Sequence, residues 1–277
     1  MSLPPGIVAV PVRTPTLPPA THTNTWVVGD GDLAVFDPAS PYPEEQALLA
    51  DALLGRIYAG ERVRWLVLTH HHHDHVSGAV ALANRLAEVG PRPPIIAHPA
   101  TAALLVGQVP VDEHWNDRET RDIGGRRLTA HHTPGHAPGH LVFQDADSGA
   151  IVAGDMVAGI GTIAISPYDG DLGQYLASLE HMRTLGGSVL LPAHGPALPN
   201  PDVILSFYVA HRHQRSDQIR RELSVVGRST ASELVPRVYP ELPAIAHGLA
   251  AGQITSHLRW LSSQGLASGD DRGWEAR

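Results

Sequence analysis

Hydrophobic residues recur along the chain at two spacings, and the switches between them predict the elements. NTWVVGDGDLAVFD (24–37) holds two apolar runs about a Gly-Asp-Gly-Asp turn, the mark of a hairpin. PEEQALLADALLGRIYAG (43–60) has acidic residues in its first turn, apolar residues at helical spacing and a closing glycine, so it predicts a helix. RVRWLVLT (62–69) reads as a buried strand and VSGAVALANRLAEVG (76–90) as the helix after it. The order recurs. A strand at 93–99 and a short helix at 100–108 precede successive strands over 126–133, 140–146 and 150–155. A helix over 171–187, capped by Asp171 or Asp169, leads into a last strand at 188–195. Strands alternating with helices predict a layered α/β fold.

ALPNPD (197–202) has the proline and turn residues of a boundary, dividing the chain into a domain over 1–200 and a smaller one over 201–277. The second part predicts helices over 203–223, 230–239 and 245–266, with few strand signals before the terminal SGDDRGWEAR. No repeat or low-complexity tract is present.

Composition narrows the chemistry. The 277 residues, 43% hydrophobic, suffice for one large domain with a small companion. No run of eighteen apolar residues predicts a membrane span, and the first residues lack the basic start and apolar core of a signal peptide. A cytoplasmic protein without membrane partners is expected. Cysteine is absent, which excludes thiolate metal sites; lysine is absent too, which excludes Schiff-base chemistry. Net charge is −8. Up to Asp202 there are 11 Arg against 21 Asp and Glu, and beyond it 9 against 7, so the acidic body disfavours non-specific nucleic-acid binding.

One stretch concentrates candidate chemistry. LTHHHHDHVSG (68–78) holds five histidines and an aspartate in eleven positions. In an extended segment leaving a strand, alternate side chains point the same way, so His70 and His72 can share one metal while His71 and His73 point elsewhere. Asp74 and His75 fall at the turn into a helix and can address a second metal. Further along, His136 in HTPGH, Asp155 ending AIVAGD and His194 ending SVLLPAH each stand at a strand end, where α/β folds place chemistry.

In this order and spacing the set resembles the metallo-β-lactamase superfamily. His70, His72, Asp74 and His75 match its H-x-H-x-D-H motif, His136 its TPGH histidine, Asp155 its bridging aspartate and His194 its final histidine. The likeness covers roughly residues 20–200. It implies a four-layer αβ/βα sandwich in which His70, His72 and His136 bind one divalent ion and Asp74, His75 and His194 a second. Asp155 and a water would bridge the two. Zn²⁺ is the first expectation for both ions, with Mn²⁺ or Fe as alternatives. The implied reaction is hydrolysis by a metal-bridging hydroxide that Asp74 helps to orient.

The C-terminal segment resembles the winged-helix domain attached to the β-lactamase-like-2 branch of the superfamily. Between Thr230 and Ala267 only two Arg stand against two acidic residues, too few for a DNA-reading face. Capping the active-site mouth or forming a homodimer suits this segment better. His140 is expected to support the site or contact substrate, with simple loop packing as the alternative, and Tyr168 in SPYDG either to line the pocket or only to serve the turn. Asp37 is expected to bond loop amides near the site. The small-molecule substrate expected is a carboxylic ester, thioester or lactone. Single-strand RNA cleavage by a phosphodiesterase is the alternative, and a binding protein with a vestigial metal site the reading from another class.

Overall fold

The computed structural model describes residues 2–277. In chain order, β1 (Ile7–Arg13), β2 (His22–Asp30) and β3 (Asp32–Phe36) precede helix α1 (Pro43–Tyr58), and β4 (Arg62–Val67) precedes the short α2 (His73–Val76) and α3 (Ala79–Leu86). Then come β5 (Ile95–Ala97), α4 (Pro99–Leu104), β6 (Glu113–His114), β7 (Thr120–Ile123), β8 (Arg126–His132), β9 (Leu141–Asp145) and β10 (Ala150–Gly154). Helix α5 (Leu172–Thr184), β11 (Val189–Pro192) and β12 (Leu198–Pro199) complete the larger part. The smaller part comprises α6 (Pro201–Val226), α7 (Ala231–Val238), α8 (His247–Ser263), β13 (Ala267–Asp270) and β14 (Gly273–Ala276).

Strands β1 to β6 form one sheet in sequence order, and β12-β11-β10-β9-β8-β7 form the other. Period-2 alternation decides which side chains face which layer. In β3 and β4, Leu33, Val35 and Leu66 meet Leu49 and Leu53 of α1 and Leu82 of α3. Their neighbours Ala34, Phe36 and Val67 turn inward against Phe143, Val152 and Leu191 of the second sheet. On that sheet's other face, Val142, Ile151 and Leu190 pack under Leu176 and Leu179 of α5. Helix, sheet, sheet and helix make the four-layer sandwich that the sequence predicts. Phe36 and Phe143 join the sheets, with ring centroids 5.0 Å apart.

Helix α6 serves both parts. Leu205 lies in the core beside α5, while Ile219 and Leu223 lie in a separate core with Leu234, Ile254, Leu258 and Trp274. The terminal SGDDRGWEAR is not a tail: β13 and β14 pair as an antiparallel hairpin, with Trp274 facing that core. It was hidden in the sequence because its residues are mostly glycine and charged, with low intrinsic strand preference. Strand β1 escaped prediction for a related reason, since its proline-flanked run alternates only weakly; it pairs along its whole length with β2. None of the helices among the described residues is long and apolar enough to cross a membrane.

Candidate metal centre and its cleft

Each candidate ligand follows a strand, in the loop beyond its end or, for Asp74 and His75, in the short helix α2 that the loop enters. His70, His72, Asp74 and His75 follow β4, His136 lies in the β8–β9 loop, Asp155 follows β10 and His194 follows β11. The loops are tight. Gly154 adopts φ +49°, and a Cβ there would lie 2.6 Å from His140 Nε2. Gly135 has φ +127°, and its Cβ would come 2.1 Å from the Tyr175 amide nitrogen. Only glycine allows both the backbone angle and the approach, so these residues aim Asp155 and His136.

His70 Nε2, His72 Nδ1 and His136 Nε2 converge, at 3.0 Å, 3.2 Å and 2.9 Å from one another. The opposite nitrogens fix the protonation. His72 Nε2–H donates to Asp169 Oδ2 (2.9 Å) and His136 Nδ1–H to the Ala164 carbonyl (2.8 Å). The Thr69 hydroxyl donates to Asp37 Oδ2 (2.8 Å), so its oxygen accepts from His70 Nδ1–H (3.0 Å). All three inward nitrogens are therefore bare lone pairs, and three acceptors facing one another repel unless a cation lies between them. Nitrogens bound to a tetrahedral zinc at about 2.0–2.1 Å stand roughly 3.3 Å apart, close to the observed spacing.

A second group gathers beside the first. Asp74, His75 and His194 offer donor atoms within 4.8 Å of one another. His75 Nδ1–H donates to Asp37 Oδ2 (2.8 Å) and His194 Nδ1–H to the His22 carbonyl (3.0 Å), again freeing the inward Nε2 atoms. Asp155 lies between the groups. Its Oδ2 is 3.6 Å from His136 Nε2, and its Oδ1 is 3.6 Å from His75 Nε2 and 3.4 Å from His194 Nε2. His75 Nε2 and Asp155 Oδ1 are buried without any hydrogen-bond partner. Buried polar atoms are rarely left so, and a divalent cation would satisfy both. The donor set fits two metal ions.

Burial, neighbouring imidazoles and neighbouring carboxylates pull the titrating groups of the site in different directions. Burial pushes His70 well below the usual histidine range, and the neighbouring imidazoles push it further. Burial also lowers His136, to about 4. For His75, burial is outweighed by the Asp155, Asp37 and Asp74 carboxylates, which hold it above its ordinary value. Burial would raise Asp155, but the adjacent His194 and His75 keep it well below the carboxylate range.

The remaining candidates separate. His140 is fully buried and does not line the cleft beside the candidate ligands. Its Nε2 accepts the Asp155 amide N–H (3.1 Å) and its Nδ1–H donates to Thr133 Oγ1 (3.0 Å), which makes it a positioning residue. Tyr168 does not line the pocket: its side chain is 94% exposed, because the turn SPYDG presents Ser166 inward and Tyr168 outward. His71 Nε2 lies 3.2 Å from Asp169, and His73 is exposed at the start of α2. Asp37 bonds the Thr69 amide (2.8 Å) and also the His75 imidazole, a contact that reading it as a loop brace missed. Asp169, which the sequence offers only as a possible helix cap, belongs to the site. Asp171 caps α5 by accepting from the Gln174 amide (2.8 Å), and Asp169 turns to His71 and His72. Two aspartates before one helix start, where a single cap suffices, were the available signal.

Both ion groups open on a cleft of about 180 Å³ walled by Thr16, Leu17, Ile160, Thr162, Ala164 and Ser166. Beside His72, Asp74, His136, Asp155 and His194, its lining holds no other ionisable side chain.

Comparison with known proteins places the chain in a family. The metallo-beta-lactamase superfamily model matches residues 18–194, and the beta-lactamase associated winged helix domain matches 230–274. The chain is 29% identical over 255 residues to a beta-lactamase-like protein 2 homolog of Drosophila melanogaster, covering 88% of this chain and 83% of that one. It is 29% identical over 225 residues to an atrochrysone carboxyl ACP thioesterase of Paecilomyces divaricatus, covering 78% and 66%. With a hydroxyacylglutathione hydrolase of Acidiphilium cryptum it shares 32% identity over 176 residues, covering 63% and 65%. The crystal structure of a beta-lactamase domain protein from Burkholderia ambifaria has the same fold, with a TM-score of 0.83 at 19% identity over 100% of this chain and 93% of that one. The chain belongs to the metallo-β-lactamase superfamily of metal-dependent hydrolases and carries that superfamily's associated winged-helix domain.

Proposed function

We propose that the protein is a dinuclear metal-dependent hydrolase of carboxylic thioesters, with esters and lactones as related substrates. The observation that carries this reading is the composition of the cleft: every ionisable group in it belongs to the candidate ligand set, leaving no spare general acid and no basic side chain for a phosphate. A thiolate leaves readily, because a thiol's pKa is near 8.5, whereas a ribose alkoxide needs a proton or strong charge neutralisation. The two relatives named for an acyl-carrier-protein thioesterase and a hydroxyacylglutathione hydrolase support the same class.

His70, His72 and His136 would hold one ion and Asp74, His75 and His194 the other, with Asp155 shared between them. Zn²⁺ suits the nitrogen-rich set, with Mn²⁺ or Fe as alternatives. Bound there, two divalent cations polarise an acyl oxygen and make water acidic enough to attack near neutral pH. Asp74 lies in the cleft with its Oδ2 3.6 Å from His194 Nε2, where it orients the attacking water and takes up its proton. Water adds to the acyl carbon, the C–S bond breaks, and the sulfur departs with its bonding pair. Leu17, Ala158 and Ile160 form an apolar wall that excludes bulk water from the acyl chain.

A panel on metal-loaded enzyme tests this. Acyl thioesters should be hydrolysed with kcat/KM at least a hundredfold above bis-nitrophenyl phosphate or single-stranded RNA. Faster cleavage of RNA would reverse the assignment.

A further inference from the structure

A second cavity, of about 370 Å³, adjoins the metal cleft and shares Leu17 and the segment Gly161–Ala164 with it. Its far side comes from the smaller part of the chain: Phe207, Tyr208, His211, Arg212 and Arg215 of α6, Tyr239 after α7, and Leu249 and Gln253 of α8. The shared segment has two faces in use. Ala164 receives the His136 imidazole through its carbonyl, and the Ile163 carbonyl receives the Arg212 guanidinium. The carbonyl and amide of Ile165 are tied to Gln253 (3.1 Å each), so α8 holds the same segment from behind.

The charge in this cavity is uncompensated. Two arginines line it, no carboxylate does, and neither arginine forms a salt bridge among the described residues. Arg212 is 5% exposed, lies 5.2 Å above the Tyr175 ring, and has a buried Nε without a partner. Arg215 stacks 4.4 Å from the Tyr239 ring centroid and donates to Gln218 and the Val238 carbonyl (3.0 and 3.1 Å). Burial and these two guanidinium groups together depress His211 and His257, so neither histidine adds a cation of its own to hold an anion. An arginine kept this far from water without a carboxylate is costly unless an anion arrives from outside.

We propose that this cavity is a leaving-group pocket, in which Arg215 and Arg212 bind the carboxylate or phosphate of an anionic thiol arm while the acyl carbon sits over the metal cleft. The inference rests on the thioester reading above. Leu17 and the 161–164 segment form the threshold over which such an arm passes. Phe207 (64% exposed) and Leu249 (48% exposed) rim the opening and cover the arm's apolar length. The winged-helix part thereby acts as half of a substrate site. Its α8, the counterpart of a nucleic-acid reading helix, is committed to Ile165 through Gln253 and Ser256.

One acyl group presented on three thiols tests the proposal on metal-loaded enzyme: neutral N-acetylcysteamine, carboxylate-bearing glutathione and phosphate-bearing coenzyme A. At least one anionic thioester should exceed the neutral one tenfold or more in kcat/KM, mainly through KM, and the better anion identifies the ligand. Arg215→Gln should reduce that preference to under threefold, with Arg215→Lys between the two. Calorimetric titration with the S-alkyl thioethers of glutathione and coenzyme A reads the pocket without turnover. Binding to wild type that is lost in Arg215→Gln supports the pocket even if no thioester is cleaved, in which case only the thioester reading falls. Equal kcat/KM for all three carriers, with no thioether binding, overturns the pocket. Displacement of a bound thioether by a short single-stranded RNA through Arg215 would overturn the thiol-arm assignment.

Discussion

The metal cleft and the cavity beside it are built on opposite plans. In the cleft, every histidine that faces inward has its outer nitrogen tied down, by Asp37 through His75, by Thr69 through His70, by Asp169 through His72, and by carbonyls through His136 and His194. Tautomer and ring orientation are fixed before any ion arrives, which is how outer partners raise metal affinity. In the cavity, Arg212 and Arg215 lie among aromatic rings and carbonyls with no opposing charge. The cleft thus gathers nitrogen and carboxylate donors, and the cavity gathers guanidinium groups. Chemistry and recognition are thus assigned to different parts of the chain, joined by residues 161–164.

The contrast breaks first at Asp155. Asp155→Ala should reduce hydrolysis of a thioester by about 10³-fold or more, about 4 kcal/mol of transition-state stabilisation, with an unchanged circular-dichroism spectrum. Retention of more than a tenth of the activity would remove the shared-ligand role. Next comes Asp37→Asn, which keeps the size but weakens the acceptor for His75 and Thr69. It should cost about 10- to 100-fold in affinity for the more weakly held ion, read by competition with a chelator; unchanged affinity would reduce Asp37 to a loop brace.

The smallest effect sharpens the other side. His257 of α8 is buried, its Nδ1 lies 2.7 Å from the Ser216 hydroxyl, and it faces the Arg212 and Arg215 charges. Burial first and these charges second lower it to about 3. The unfolded chain takes up a proton near pH 6.5 that the folded chain refuses until about pH 3. Stability present above about pH 6.5 is therefore lost as pH falls through that window, by up to about 1.4 kcal/mol per unit. Urea denaturation of wild type and His257→Gln between about pH 7 and 5 should show the wild type losing stability more steeply; parallel curves would contradict a His257 held neutral by burial and these charges.

What was legible in the sequence follows the same division. The candidate ligands stand in short motifs at or just beyond strand ends, and the pairing of His70 with His72 read from their spacing is kept in space, with their ring nitrogens 3.0 Å apart. Strands alternating with helices likewise pointed to a layered fold, and the family resemblance supplied its four layers. Asp169 was not legible, since its partner His72 is 97 positions away and a helix-capping role explained it locally. Arg212 and Arg215 carried no signal, because a basic pair on a long helix reads as a solvated face until α8 and the 161–164 segment close over it. At Tyr168 the sequence left a pocket role and turn formation equally open, and the turn decides its direction.

Metal stoichiometry tests the central claim most directly. Protein stripped with chelator and titrated with Zn²⁺ in a calorimeter should bind two equivalents per chain, and Asp155→Ala should lose at least one of them. Saturation at one equivalent or fewer in the wild type would contradict a two-ion centre built around Asp155.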